Sequence, residues 1–185
     1  MDNGASSYRR FLDGNKEAFA ELVEMYAHNL TFFINGFVGN LSAAEDLTED
    51  SFCDLIFYKN RFKSQSSLKT YLFSIAHNKA VDYIKRSSKV CVVDDEKLER
   101  QLIDTRELER EILVDERKMH VNKALSEIHS DYRAVLYLLY FAEVTYEQAA
   151  LILNKNKNQM KDLVYRAKQA LKVTMEREGF VYEEL

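Results

Sequence analysis

The side chains best suited to recognition chemistry lie near the end of the chain, between residues 157 and 168. The apolar residues of this stretch, from Met160 to Leu171, recur with the period of one helix face. The polar residues between them must therefore point the other way. Cationic, amide and phenol groups on one helix face are suited to bonding the phosphates and base edges of DNA. The outward residues are Lys157, Gln159, Lys161, Tyr165, Arg166 and Lys168.

A shorter helix precedes this one and is separated from it by a polar turn. Thr145 and Gln148 have the spacing of a capping box, which predicts that a helix begins there. Asn154 can adopt the left-handed conformation that ends a helix, and Asn156 can cap the next one. A short helix, a turn and a longer basic helix make a helix-turn-helix, which places one helix in the major groove. The alternative is an ordinary helical hairpin with a solvated polar face.

A second group of basic and aromatic residues lies between residues 61 and 89. This stretch holds seven Lys or Arg and one acid, and residues 154–172 hold six and one. The net charge of the whole chain is −4, but contacts with phosphates are short-range, so the local charge decides. Aromatic rings interleaved with cations on one helix suit a single strand, because bases stack on the rings while the charges follow the backbone.

An acidic cluster lies at the start of a helix that is predicted to begin at Ser42. Ser42 and Glu45 have capping-box spacing, and Glu45, Asp46, Glu49 and Asp50 follow within a turn and a half. Acids at this end of a helix complement its dipole. They also form a docking face for a basic partner, and the residues alone leave both interpretations open.

Metal-binding and catalytic patterns are missing from the sequence. Cys53 and Cys91 are isolated, the four histidines are scattered, and no Glu-x-x-His pair occurs. No glycine-rich phosphate loop or nucleophile–base pair is evident either. We therefore predict no metal, no cofactor and no enzymatic activity.

Composition and periodicity predict an all-α protein of two small helical domains joined by a charged linker. Five Gly and no Pro in 185 residues disfavour an all-β fold. Helices are predicted from Lys16 to Phe37, from Ser42, and from residue 68 to about Arg86. The predicted domains are residues 1–88 and 118–185, with an acidic linker at 89–117. No signal peptide or membrane-spanning run is recognisable, which predicts a cytoplasmic location without membrane insertion.

Three motifs occur in an order that resembles the extracytoplasmic-function (ECF) sigma factors of the sigma-70 family. The first is the acidic segment from Ala44 to Phe52, and the second is the basic, aromatic segment from Leu68 to Ile84. The third comprises residues 124–128, residues 145–150 and residues 161–171. The resemblance implies a protein that directs core RNA polymerase to promoters. It also implies that an anti-sigma factor is a partner.

The resemblance implies a role for each group of residues. Asp46, Glu49 and Asp50 would face the polymerase. The promoter −10 element, including its melted strand, would be held by Arg61, Lys63, Ser64, Lys69, Tyr71, His77, Asn78, Lys85 and Arg86. The −35 element would be read as duplex DNA by Asn156, Asn158, Gln159, Lys161, Asp162, Tyr165 and Arg166.

Three further hypotheses concern an alternative function and the linker. A stand-alone helix-turn-helix regulator would bind duplex DNA without polymerase, but it would leave the acidic cluster and the 61–86 stretch unexplained. In the free protein, the acidic residues Asp94, Asp95, Glu96 and Glu99 of the linker are expected to fold back on the basic faces and weaken DNA binding. In the polymerase complex the linker is expected to be partly extended, because the two promoter elements lie far apart.

Overall fold

The computed structural model describes residues 4–59, 62, 66–90 and 116–177, and these residues form helices without strands. The predicted all-α class is thus confirmed. The N-terminal helices are α1 (Ala5–Leu12), α2 (Glu17–Val38), α3 (Leu41–Phe57) and α4 (Leu68–Val90). The C-terminal helices are α5 (Glu116–Glu127), α6 (Ser130–Tyr140), α7 (Tyr146–Ile152) and α8 (Lys157–Arg177).

The long helix α2 is the centre of the N-terminal part and packs against α1, α3 and α4. Its apolar residues recur every three or four positions, so Leu22, Leu30 and Ile34 are completely buried on one side. It ends at Gly39, whose φ of 65° is the left-handed conformation that favours glycine at a helix C-terminus. The predicted limits, Lys16 and Phe37, are each one residue from the observed ones.

The predicted capping residue of α3 is wrong. The helix begins at Leu41, and the side chain of Asn40 caps it by accepting a hydrogen bond from the Ala43 backbone N–H at 2.9 Å. Asn40 has extended backbone angles, as a capping residue requires, whereas Ser42 already lies inside the helix. An amide and a hydroxyl two positions apart are both good caps, so the sequence favours neither strongly.

Helix α1 is not predicted by the sequence pattern. Its residue Tyr8 is 2% exposed, and the ring of Tyr8 meets that of Phe62 edge to face at 5.6 Å. Gly4 precedes the helix with a φ of 73°, and a Cβ there would lie 2.9 Å from Leu22. A helix of eight residues gains most of its stability from such packing, which a local sequence pattern does not reveal.

Helices α5 to α8 form the C-terminal part, and its polar turns match the sequence predictions. Thr145 and Gln148 form the predicted capping box at the start of α7. Asn154 has a φ of 52°, the predicted left-handed conformation. Asn156 accepts from the Gln159 N–H while the Gln159 side chain accepts from the Asn156 N–H, both at 2.9 Å, which caps α8.

The N-terminal and C-terminal helices pack against each other. Helix α4 contacts α7, and α2 contacts α6, so buried residues of both parts belong to one continuous core. The sequence predicts two helical domains, but it does not predict that they pack against each other.

Most of the predicted linker lies outside the described residues. Helix α4 continues to Val90 and α5 begins at Glu116, so each extends slightly into the predicted 89–117 segment. The hypotheses on an extended linker and on masking by Asp94, Asp95, Glu96 and Glu99 concern residues outside the described part and remain predictions.

Candidate polymerase and nucleic-acid interfaces

The acidic side chains of α3 lie on an exposed face. Asp46 and Glu49 are exposed, as is Glu45. Asp50 and Asp54, one turn further on, face Lys79 of α4, whose Nζ lies 4.0 Å and 3.1 Å from their carboxylates. The start of α3 therefore presents carboxylates that have no ion-pair partner among the described residues, whereas Asp50 and Asp54 pair with α4.

The predicted −10 residues of α4 are divided between solvent and packed surfaces. Lys85 and Arg86 are exposed near the end of the helix. Tyr71 is half-buried, and its ring packs against Phe62 at 5.2 Å. Lys69 is also half-buried, and burial lowers the pKa of its ammonium group. Arg61, Lys63 and Ser64 lie outside the described residues.

His77 and Asn78 lie next to the C-terminal helices. His77 is buried, its ring meets Phe37 edge to face at 5.4 Å, and burial lowers its pKa. Asn78 is exposed, and its side-chain oxygen accepts a hydrogen bond from the Asn154 amide at 3.1 Å. His77 is therefore packed against other side chains, whereas the family resemblance implies that it binds a base of the −10 element.

The predicted −35 residues form one exposed face of α8. Met160 and Ala167 hold the opposite face of the helix in the core. All of the predicted residues are solvent-exposed, namely Asn156, Asn158, Gln159, Lys161, Asp162, Tyr165 and Arg166. The Gln159 oxygen accepts the Asn156 N–H in the cap, which leaves its amide N–H groups as donors for a base edge.

A polar cleft lies beside this face. It is lined by residues of α8, of the turn before α8, and of the start of α6 and the position before it: His129, Asp131, Tyr132, Lys155, Gln159, Asp162, Leu163 and Arg166. The His129 imidazole caps α6, because its Nδ1 accepts the Asp131 N–H at 3.2 Å. The cleft continues the polar face of α8 toward α6.

Sequence reasoning missed the residues that join the two parts of the molecule. The Tyr137 hydroxyl donates to the Asn29 backbone carbonyl at 3.1 Å, and its ring stacks on Phe32 at 5.1 Å. The Lys69 ammonium donates to the Ala142 carbonyl. These contacts join residues 73 to 108 positions apart. A hydrophobic run such as residues 134–142 predicts that these residues are buried, but it does not predict which helices cover them.

Arg133 also bonds to both parts of the molecule. Its guanidinium donates to the carbonyls of Leu125, Ser126 and Ile128, at the end of α5 and just beyond it, at 2.7, 2.8 and 3.0 Å. It also donates to the Gly36 carbonyl in the last turn of α2 at 2.7 Å. Burial lowers the pKa of Arg133 to about 10, so the group remains cationic at neutral pH.

Within the described residues, no group of three or more His, Cys, Asp or Glu side chains is arranged to hold a metal ion. The same part of the chain contains no helix that is both long enough and apolar enough to span a membrane.

Comparisons with known proteins identify both parts of the chain. Sigma-70 region 2 matches residues 22–90 and sigma-70 region 4 matches residues 119–171. The Bacillus subtilis ECF sigma factor SigM is 26% identical over 160 residues, which cover 85% of this chain and 94% of SigM. The Pseudomonas aeruginosa RNA polymerase sigma-H factor is 28% identical over 166 residues, which cover 85% and 86%.

Solved structures share the fold. The sigma factor RpoE of Bartonella quintana, in complex with the anti-sigma factor NepR, matches with a TM-score of 0.62 at 20% identity, over 85% of this chain and 96% of that one. CnrH, in complex with the cytosolic domain of CnrY, also gives 0.62, at 19% identity over 95% and 96%. With regions 2 and 4 present in order over most of its length, the chain belongs to the sigma-70 family and, by its relatives, to the ECF sigma factors.

Proposed function

We propose that three faces of this sigma factor have separate binding roles in promoter-directed transcription initiation. The acidic start of α3, with Asp46 and Glu49, docks on core RNA polymerase. The basic, aromatic face of α4, with Tyr71, Lys85 and Arg86, holds the opened −10 element. The exposed polar face of α8 reads the −35 element as duplex DNA.

The observation that carries this proposal is the opposite charge of the two exposed helix faces. The start of α3 presents carboxylates that have no basic partner among the described residues. The exposed face of α8 presents Lys157, Lys161 and Arg166. DNA repels the first face and attracts the second, because affinity for the duplex comes largely from cations that neutralise phosphates. One face therefore suits a basic protein surface and the other suits nucleic acid.

The proposal includes partners and location. An anti-sigma factor is a partner class that fits this chain, since two structural neighbours are described as complexes with NepR and with CnrY. The chain would act in the cytoplasm, where polymerase and promoters are, and without catalysis of its own. A stand-alone regulator remains the competing function, because a helix-turn-helix binds DNA without polymerase in many regulators.

Run-off transcription tests the proposal directly. Core polymerase is incubated with a library of genomic fragments, with and without the protein, and the 5′ ends of the transcripts are sequenced. We expect new start sites that depend on the protein and share two upstream elements. A stand-alone regulator would instead bind duplex fragments by itself and create no start sites with core enzyme, and that result would refute the proposal.

A further inference from the structure

Asp162 is an acid at the centre of a helix face that otherwise suits DNA. It is exposed in the second turn of α8. Tyr165 and Arg166, three and four positions further on, are its neighbours on the helix surface and are also exposed. Met160 and Ala167 hold the opposite face of the helix in the core. The Asp162 carboxylate must therefore face whatever this side of α8 binds.

The Asp162 carboxylate is not used to hold the protein together. Within the described part of the chain it takes part in no ion pair or hydrogen bond. It is not the cap of α8 either, because Asn156 and Gln159 form that cap. It lines the polar cleft beside α8, where the cations Lys155 and Arg166 also lie. The carboxylate is thus available to a ligand.

A carboxylate on a DNA-binding face is selective, because most groups of duplex DNA repel it. The phosphates are anionic, and guanine and thymine present only acceptors for hydrogen bonds in the major groove. Only the amino groups of cytosine and adenine donate there. The adenine amino group lies beside the N7 acceptor, whereas the major-groove edge of cytosine has no acceptor beside its amino group. Cytosine is therefore the base that repels an aspartate least.

We propose that Asp162 makes this protein select duplexes with a cytosine at one position of the site bound by α8, by accepting a hydrogen bond from the cytosine N4 amino group. The inference rests on the proposed function, in which α8 reads duplex DNA. The exposed cations Lys161 and Arg166 contact phosphates, which contributes affinity without sequence preference. Asp162 lowers the affinity for sequences with another base at its position, and this difference is the selectivity.

Two substitutions separate base reading from charge. Asp162→Asn keeps the size of the side chain but adds an N–H donor, and such an amide bonds to adenine N6 and N7 together. Asp162→Ala removes both the acceptor and the charge. Glu176→Gln is the matched control, because it changes a carboxylate to an amide at another exposed position of the same helix, where Glu176 pairs with Lys172 at 3.8 Å.

Selection from a pool of duplexes with a random central segment identifies the preferred bases. The 185-residue chain is used without polymerase and at low salt, where phosphate contacts are strongest. The retained duplexes are sequenced, and fluorescence anisotropy gives the Kd for the selected sequence and for its single-base variants. We expect the parent to bind cytosine at one position about tenfold more tightly than guanine or thymine there, which is within the usual discrimination of one good base contact.

Each variant should change that one position in its own way. Asp162→Asn should select adenine there instead of cytosine. Asp162→Ala should lose the preference and should bind the guanine and thymine variants more tightly than the parent does. Glu176→Gln should still select cytosine. Circular dichroism checks that each variant is folded, as is expected of substitutions at exposed positions.

Two results would overturn the proposal. One is a parental selection with no cytosine position that responds to the Asp162 variants. The other is an equal gain of affinity for every sequence in Asp162→Ala, because the carboxylate would then only repel phosphates. The selection needs no polymerase, so its result is separate from that of run-off transcription. Cytosine selection without protein-dependent start sites would refute the promoter-directing function and leave the role of Asp162 intact.

Discussion

The side-chain amide of Asn154 donates to the side-chain oxygen of Asn78 at 3.1 Å, across 76 positions of sequence. Asn154 lies in the turn of the helix-turn-helix, with a φ of 52°, and Asn78 lies on the predicted strand-binding helix α4. The two surfaces that we propose to bind promoter DNA thus meet at this hydrogen bond.

The first prediction concerns polymerase docking. Asp46→Lys with Glu49→Lys should abolish co-purification with core polymerase, because it reverses the charge of the exposed start of α3. Exposed charge changes usually alter the free energy of unfolding by no more than about 0.5 kcal/mol, so the fold should persist. Glu17→Lys with Glu24→Lys, both exposed on α2, makes the same charge change elsewhere. Equal yields of core enzyme with both double variants would remove α3 from the docking surface.

The second prediction concerns the −35 duplex. Arg166→Ala should weaken binding to a promoter duplex and flatten the dependence of log affinity on log salt concentration by about 0.9, the effect of one lost phosphate contact. Lys172→Ala removes the same charge from an exposed position that pairs with Glu176 at 3.8 Å. Titrations of the promoter duplex at several salt concentrations give the slope for each variant. An equal change in slope for Lys172→Ala would show that the loss of one positive charge matters and its position on α8 does not.

The third prediction concerns strand opening. Tyr71→Ala should slow promoter melting, since stacking on one base contributes roughly 1–3 kcal/mol. Tyr71→Phe keeps the ring and its packing against Phe62, so it should melt promoters at nearly the parental rate. Permanganate footprinting over time follows the bubble. A parental rate in folded Tyr71→Ala would argue against stacking at this position.

The fourth prediction tests the corrected cap of α3. Asn40→Ala should lower the free energy of unfolding by about 1 kcal/mol, because the Ala43 N–H loses its acceptor. Ser42→Ala lies inside the helix and is exposed, so it should change that free energy by less than about 0.5 kcal/mol. Urea unfolding measures both variants, and the reverse order of effects would restore Ser42 as the cap.

The fifth prediction concerns acid stability. Burial lowers the pKa of His77, so the unfolded chain, with a pKa of about 6.5, takes up the proton first as the pH falls. Stability should therefore be fully present above about pH 6.5 and decrease as the pH falls below it. His77→Gln should flatten this part of the curve, while His28→Gln, at an exposed position on α2, should leave it unchanged. Urea unfolding between neutral and mildly acidic pH is the measurement, and identical curves for parent and His77→Gln would show that another group controls the dependence.

The sequence by itself determined the helical class, the limits of α2 and the polar turn of the helix-turn-helix. These features depend on residues a few positions apart. Thr145 and Gln148 cap α7 because three residues separate them, and Asn154 tolerates a left-handed φ because of its own side chain. The exposed face of α8 follows in the same way from the spacing of Met160 and Ala167, both of which are buried.

Only the tertiary structure decided which surfaces meet. Arg133 looks in the sequence like any cation on a helix, yet it bonds to Gly36, 97 positions away. Likewise His77 looks like a free polar residue, and packing buries it. Periodicity tells which face of a helix is apolar, but not which helix covers it, because many partners would bury the same area with similar gain. The choice depends on side-chain shape and on unpaired backbone groups, such as the carbonyl of Gly36, that exist only once the helices have formed.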